Sequence, residues 1–356
     1  VNVQSLAVFD DPLLDEHRSP TPHPERPERL VAARRAVESV ARRSGRVNVT
    51  LRRATDDELG RVHTPRYVDR LGRAAGSFTS FDEDTYSVPK SVDAARSAAG
   101  GAVALVDALV ERRALRGVGL LRPPGHHARP DCAMGFCLLN NVAVAAAHAV
   151  SLGVPRVLVL DFDVHHGNGT QEIFYARPEV LFISLHQFPF YPGSGSVAES
   201  GSGDGEGYTL NVPLGPGADD ATYAAAFDRI VAPVVGEFSP SLVLLSAGFD
   251  AHRDDPLAEM RLTAEGYRTM MERLLGALPA ETPIGALLEG GYDLDALESS
   301  MTAALEALVG LAPERERSDA SPVTKSTTIP SHTVSERHSR ELDRALRAAA
   351  EFWRLG

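Results

Sequence analysis

The chain is poor in cysteine: Cys132 and Cys137 are the only two among its 356 residues. A disulfide between them would close a tiny loop, and a thiolate zinc site needs more ligands than two. Both therefore read as reduced packing residues, which suits a cytoplasmic enzyme. An apolar run near the roughly 18 residues needed to span a bilayer is also missing, so no membrane span is expected. Val1–Asp10 has no basic segment ahead of its short apolar stretch, so a secretory leader is not expected. Nor is there a basic excess. Lys and Arg number 36 against 48 Asp and Glu, a formal net charge of −12. Nucleic-acid binders carry a basic footprint, so direct nucleic-acid binding is disfavoured. With 43% hydrophobic and 24% charged residues, the composition is that of a globular protein and excludes a mostly disordered chain. Histidine is what stands out: four of the 12 fall in two adjacent pairs, His126-His127 and His165-His166.

Short apolar runs alternate with longer helical patterns. The clearest strands are Gly117–Leu121, Arg156–Asp161, Val180–Leu185, Leu242–Ser246 and Ile284–Leu288. Their continuous apolar character suits strands buried on both faces. Helices are expected near Arg26–Arg43, Ser91–Ala114, Asn140–Leu152, Ala221–Glu237, Thr263–Leu278 and Asp293–Val309. Such alternation predicts an α/β fold, a mostly parallel central sheet with helices on both faces. Gly193–Gly207 reads as an exposed loop. One domain is expected over 1–356, with a core over about 5–311, a polar linker over 313–335 and a last helix over 336–354. Leu342, Ala345, Leu346, Ala349 and Trp353 form one apolar stripe on that helix, which predicts docking on the core or on a partner chain. A homo-oligomer is compatible with this.

Four polar clusters follow four of the strands directly. They are Arg122-Pro-Pro-Gly-His-His127, Asp161-Phe-Asp-Val-His-His-Gly-Asn-Gly169, Ala247-Gly-Phe-Asp-Ala-His252 and Glu289-Gly-Gly-Tyr-Asp293. Ligands of open α/β sheets bind outside the carboxyl ends of the strands, so the four can converge. Asp161, Asp163 and His165 alternate, and residues two apart project the same way along an extended chain. Asp250 follows another strand and is suited to close the same site. Two carboxylates and an imidazole neutralise a divalent cation and leave a coordination position open, the layout of a catalytic zinc. His126 and His127 are candidate proton carriers, with Asp161 and Asn168 suited to orient them. Tyr292 keeps its proton at neutral pH and can donate to an oxyanion.

These residues resemble the zinc-dependent histone deacetylase family, with its arginase–deacetylase α/β fold. The resemblance runs from His23-Pro-Glu-Arg-Pro-Glu-Arg-Leu30 to about Leu294. It is carried by RPPGHHA at Arg122–Ala128, GFCLLNN at Gly135–Asn141, LDFDVHHGNGT at Leu160–Thr170, SLH at Ser184–His186, AGFDAH at Ala247–His252 and LEGGY at Leu288–Tyr292. Asn168 and Glu289 are similar to the bacterial, class II-like amidohydrolase branch; class I has aspartate and glycine there.

The resemblance implies zinc on Asp163, His165 and Asp250. It pairs His126 with Asp161 and His127 with Asn168, and sets Tyr292 to polarise the acyl carbonyl. It implies a potassium ion on Asp161, Asp163, His165, Ser184 and the Leu185 carbonyl. Gly135, Phe136, Tyr191, Leu257 and Gly290 would contact the substrate. The activity implied is removal of acetyl or short acyl groups from acylated lysine, releasing acetate and a free amine. An acetylpolyamine or another small acetylated amine is the alternative substrate. A polyamine-selective relative has glutamate at the position aligned with Leu257, and Asp254 and Asp255 lie close by in the sequence. Two rivals are weaker. A binuclear manganese ureohydrolase would want a carboxylate where His252 stands, and a non-catalytic acetyl-lysine binder would not need Tyr292 and a full ligand set.

Overall fold

A computed structural model describes residues 4–313 and 333–355. Almost all of the expected linker over 313–335 therefore lies outside the described residues. The strands are β1 (Leu6–Phe9), β2 (Arg46–Asn48), β3 (Thr79–Ser80), β4 (Tyr86–Ser87), β5 (Arg116–Gly119), β6 (Val157–Asp161), β7 (Val180–Gln187), β8 (Thr209–Leu214), β9 (Leu242–Ala247) and β10 (Ile284–Leu288). The helices are α1 (Glu28–Ser44), α2 (Asp56–Leu59), α3 (Pro65–Ala74), α4 (Ser91–Val110), α5 (Asn141–Ser151), α6 (Asn168–Phe174), α7 (Asp220–Ala226), α8 (Ala232–Phe238), α9 (Ala264–Gly276), α10 (Leu294–Val309) and α11 (Glu336–Ala349).

Eight strands form one parallel sheet in the order β2-β1-β5-β10-β9-β6-β7-β8; β3 and β4 make a separate antiparallel pair. Helices cover both faces, because neighbouring residues of a strand point opposite ways. Gly117 of β5 faces α4 so closely that a Cβ there would lie 2.6 Å from Leu105. Its neighbour Val118 points to the opposite side, where it meets Met301 and Leu305 of α10, with Met271 of α9 in the same group. The five expected strands and the long helices are all present.

Three strands of the sheet were not expected. Leu6–Phe9 is only four residues long, and β2 is a short, partly exposed strand at one edge. At the other edge, β8 carries Asn211 and Pro213, which an edge strand tolerates because one side of its ladder is free. The single helix expected over 221–237 is interrupted by a π-helical turn at Phe227–Val231. Gly193–Gly207 is a loop as expected, but it is partly buried rather than exposed. Glu199 accepts bonds from the Gly195 and Ser196 amides, and the Trp353 indole donates to the Gly207 carbonyl. The stripe of α11 does dock on the core: Leu342, Ala345 and Ala349 are buried against β8 and α7. Among the described residues no helix is long and apolar enough to cross a membrane.

Candidate active site

The four polar clusters follow β5, β10, β9 and β6, which are consecutive in the sheet. Parallel strands end at one edge, so the clusters meet there. Asp163, His165 and Asp250 bring one ligand atom each to within 4.8 Å of one another. His165 Nδ1 lies 3.2 Å from both Asp163 Oδ1 and Asp250 Oδ2. The other carboxylate oxygens are held by backbone donors: Gly290 N–H reaches Asp163 Oδ2 at 2.7 Å, and Val164 N–H reaches Asp250 Oδ1 at 2.8 Å. Gly290 must be glycine, because a Cβ there would lie 2.1 Å from Asp250 Oδ2. Burial works against a charge on His165, yet the two carboxylates hold its pKa at about 10. A point that favours positive charge this strongly, ringed by two carboxylates and an imidazole, fits a divalent cation with an open position.

Asp161 does not join this group. The alternation expected over Asp161, Asp163 and His165 breaks because β6 ends at Asp161 and the chain turns. Asp161 Oδ2 instead accepts from His126 Nδ1 at 3.0 Å. His127 Nδ1 donates to Asn168 Oδ1 at 2.8 Å, while the Asn168 amide nitrogen faces the Met134 sulfur at 3.3 Å. The two imidazoles thus differ in charge. Burial opposes protonation of His126, but Asp161 and Asp163 raise its pKa to about 10. Burial and the charges of His126 and His165 push His127 well below the usual histidine value. With Nδ1 occupied as a donor, neutral His127 has Nε2 free to accept a proton.

A cavity of about 280 Å³ opens over these groups. Gly135, Phe136, Tyr191, Leu257 and Gly290 line it, and so does Tyr292. Burial raises the Tyr292 phenol well above its usual range, so the hydroxyl stays protonated. Tyr191 packs edge-on to His127 with centroids 5.2 Å apart, and Phe190 stacks on His165 at 5.5 Å. Both cysteines are free, and Cys137, which is buried, also lines the cavity. The cavity lining includes the carboxylate of Asp84, and neither Asp254 nor Asp255 belongs to it. Asp255 is consumed internally, accepting from the Leu257, Tyr292 and Asp293 amides. His252 lies outside the ligand group.

Sequence reasoning missed the frame behind the cavity. Glu289 is fully buried and accepts from the Gly125 and His126 amides, tying β10 to the histidine loop. Arg29 donates to the Glu289 and Gly291 carbonyls, flanking Gly290, and its guanidinium lies 4.9 Å from the Tyr292 ring. Glu25 bridges Arg29, at 3.1 Å, and Arg122, at 2.5 Å, so one buried carboxylate connects the tyrosine loop to the histidine loop. Arg122 and Glu289 stood in the polar clusters after the strands, but the only sequence signal of Glu25 and Arg29 was the charged run His23–Leu30 far from the strands.

The sheet and the site are of the arginase–deacetylase type, with three residues beside the cavity that could hold a metal ion. The chain belongs to the histone deacetylase family: the model of the histone deacetylase domain matches residues 23–308. It is 45% identical over 301 residues to histone deacetylase 15 of Arabidopsis thaliana, covering 83% of this chain and 54% of that protein. It is 41% identical over 293 residues to a probable deacetylase of Archaeoglobus fulgidus, covering 81% of each. It is 44% identical over 267 residues to the histone deacetylase-like amidohydrolase of Pseudomonas aeruginosa, covering 72% of this chain and 69% of that one. The crystal structure of the HDA15 HD domain superposes with a TM-score of 0.88 at 38% identity, covering 99% of this chain and 96% of that one. The chain thus spans about half the length of the plant relative, 54%.

Proposed function

We propose that this chain is a zinc-dependent deacylase that removes acetyl or other short acyl groups from acylated lysine side chains. The observation that carries this reading is convergence: His165 of the Asp163, His165, Asp250 group lines one cavity together with neutral His127 and protonated Tyr292. Asp163, His165 and Asp250 would hold the zinc, which would supply a Lewis acid for the acyl carbonyl and acidify the attacking water. His127 accepts the proton of the attacking water at Nε2 and passes it to the leaving amine. His126, held cationic by Asp161, stabilises negative charge without taking the proton. The Tyr292 hydroxyl donates to the tetrahedral oxyanion. Phe136 and Tyr191 are aromatic walls for the aliphatic stem, and Gly135 has no room for a Cβ, which would lie 2.4 Å from the His127 ring. The products are a free amine and acetate.

A potassium ion behind the site would draw on Asp161, Asp163, His165, Ser184 and Leu185. The register supports it, since Asp161 and Ser184 are partners on β6 and β7. Asp84 favours a second reading, in which its exposed carboxylate meets a second ammonium of an acetylated polyamine. The test is a comparison of kcat/KM for an acetyl-lysine peptide and acetylspermidine on zinc-loaded protein. The lysine reading expects the peptide to be faster by tenfold or more. The reverse order would replace it with the polyamine reading, and turnover of neither would refute both.

A further inference from the structure

A second groove lies beside the cavity and not in it. Its volume is about 830 Å³. One wall is α11, which presents Arg337, Arg340, Arg344 and Arg347; Phe188, Pro189, Val197 and Pro213 give it an apolar floor. Positions 337, 340, 344 and 347 recur at helical spacing, so all four guanidinium groups fall on one side of the helix. The two acidic residues of the groove are engaged. Glu341 pairs with Arg337 at 3.0 Å and accepts from the Gly215 amide, and Asp343 pairs with Arg229 at 2.6 Å. Among the described residues no carboxylate pairs with Arg340, Arg344 or Arg347, and all three are exposed. In a chain whose formal charge is −12 this is a local reversal of sign. Like charges three and four residues apart also cost helix stability. The last turn gains from a cation at its negative end, which accounts for Arg347 but not for Arg340 in the middle of the helix.

The groove is continuous with the cavity through one short loop. Phe188 and Pro189 form its floor, and the next two residues, Phe190 and Tyr191, line the cavity. We propose that this groove is an exosite for an acidic segment of the substrate polypeptide, flanking the acylated lysine that enters the cavity. The proposal rests on the deacylase reading above. Charge complementarity selects the partner: three unpaired guanidinium groups take carboxylates. The apolar floor suits a peptide, whose small and aliphatic side chains can face it. Arg340 and Arg347 are separated by about 10 Å along the helix, which is about three residues of extended chain. Alternating acidic positions would therefore match the row.

The test uses the zinc-loaded full chain and two acetyl-lysine peptides. One carries a Glu-Ser repeat a few residues from the acetyl-lysine, and the other carries a Gln-Ser repeat there. The tail is placed on either side in turn. On one side the acidic tail is expected to raise kcat/KM by about tenfold at low salt, through KM and not kcat, since three exposed ion pairs contribute modestly each. Salt of about 0.5 M removes the advantage, as screening requires. The triple variant Arg340→Gln, Arg344→Gln, Arg347→Gln loses the preference and keeps wild-type turnover of a short uncharged acetyl-lysine substrate. Should that variant not fold, Arg344→Glu alone is expected to lower the preference two- to threefold or more. Equal kcat/KM for the two tails on both sides, or a preference that survives in the variants, would overturn the exosite. Fluorescence anisotropy with the acidic peptide lacking acetyl-lysine separates the two readings. Binding that the Arg variants lose, in a protein that hydrolyses no acetyl-lysine substrate, would keep the groove and refute the deacylase reading. Tighter binding of a single-stranded oligonucleotide of equal charge would show that the groove takes phosphodiesters and overturn the peptide assignment.

Discussion

Glu25→Gln removes one charge from the point where the two reactive loops are joined. Glu25 is completely buried, and both of its oxygens are used: Oε1 by Arg29 and Arg122, and Oε2 by Arg122 with His17 at 3.7 Å. Burial by itself would raise its pKa, but Arg122 and Arg29 overcome that and bring it from an ordinary 4.5 down to about 2. The difference corresponds to about 3 kcal/mol of stabilisation of the folded state. This agrees with the ~3–5 kcal/mol lost when one partner of a buried pair is removed and the other is left uncompensated. Because the folded-state value is the lower one, the stabilisation is fully present above about pH 4.5 and is lost as the pH falls towards 2. Urea denaturation followed by circular dichroism at pH 7 and at pH 3 reads both effects. Glu25→Gln is expected to be about 3 kcal/mol less stable at pH 7 and to show a correspondingly flatter acid limb. It should also lower kcat, since Arg29 holds the carbonyls on either side of Gly290. A loss below ~1 kcal/mol with an unchanged acid limb would refute the role given to this carboxylate.

Other substitutions test individual parts of the site. Tyr292→Phe should keep zinc and KM while kcat falls by roughly two to three orders of magnitude, the usual worth of one oxyanion donor; a variant within ~3-fold of wild type would remove Tyr292 from the mechanism. His127→Ala should be at least as damaging to kcat as His126→Ala, and the opposite ranking would exchange their roles. Leu257→Glu should raise the acetylspermidine to acetyl-lysine ratio of kcat/KM by about tenfold, which needs only ~1.4 kcal/mol of transition-state binding; an unchanged ratio would show that this rim position has no part in selectivity.

Much of the site was legible because its residues follow buried strands. Leu242–Leu245 and Ile284–Leu288 announce themselves as unbroken apolar runs, and the polar residues that follow them fall at the edge where parallel strands end together. The strand order itself was not legible. Nothing in the local sequence says that β10 lies between β5 and β9, and that placement is what sets Tyr292 opposite His127. Asp84 was missed because it belongs to a loop between two very short strands, with no periodicity to flag it. Asp255 is a different case. An acidic residue beside the rim looks available in sequence, but three backbone amides claim it. Glu25, Arg29 and Glu289 act over separations of about 100 residues and more, so only the folded chain shows what they hold. The Arg face of α11 likewise needs the fold: its stripe predicted docking, but not the groove that docking creates.

The central claim is that Asp163, His165 and Asp250 hold one zinc ion on which amide hydrolysis depends. The most direct test is metal content by atomic absorption alongside hydrolysis of an acetyl-lysine peptide, for wild type and Asp250→Ala. The account predicts one zinc per wild-type chain, hydrolysis that chelation abolishes and zinc restores, and loss of both metal and activity in Asp250→Ala. Full zinc occupancy and undiminished hydrolysis in that variant would contradict it.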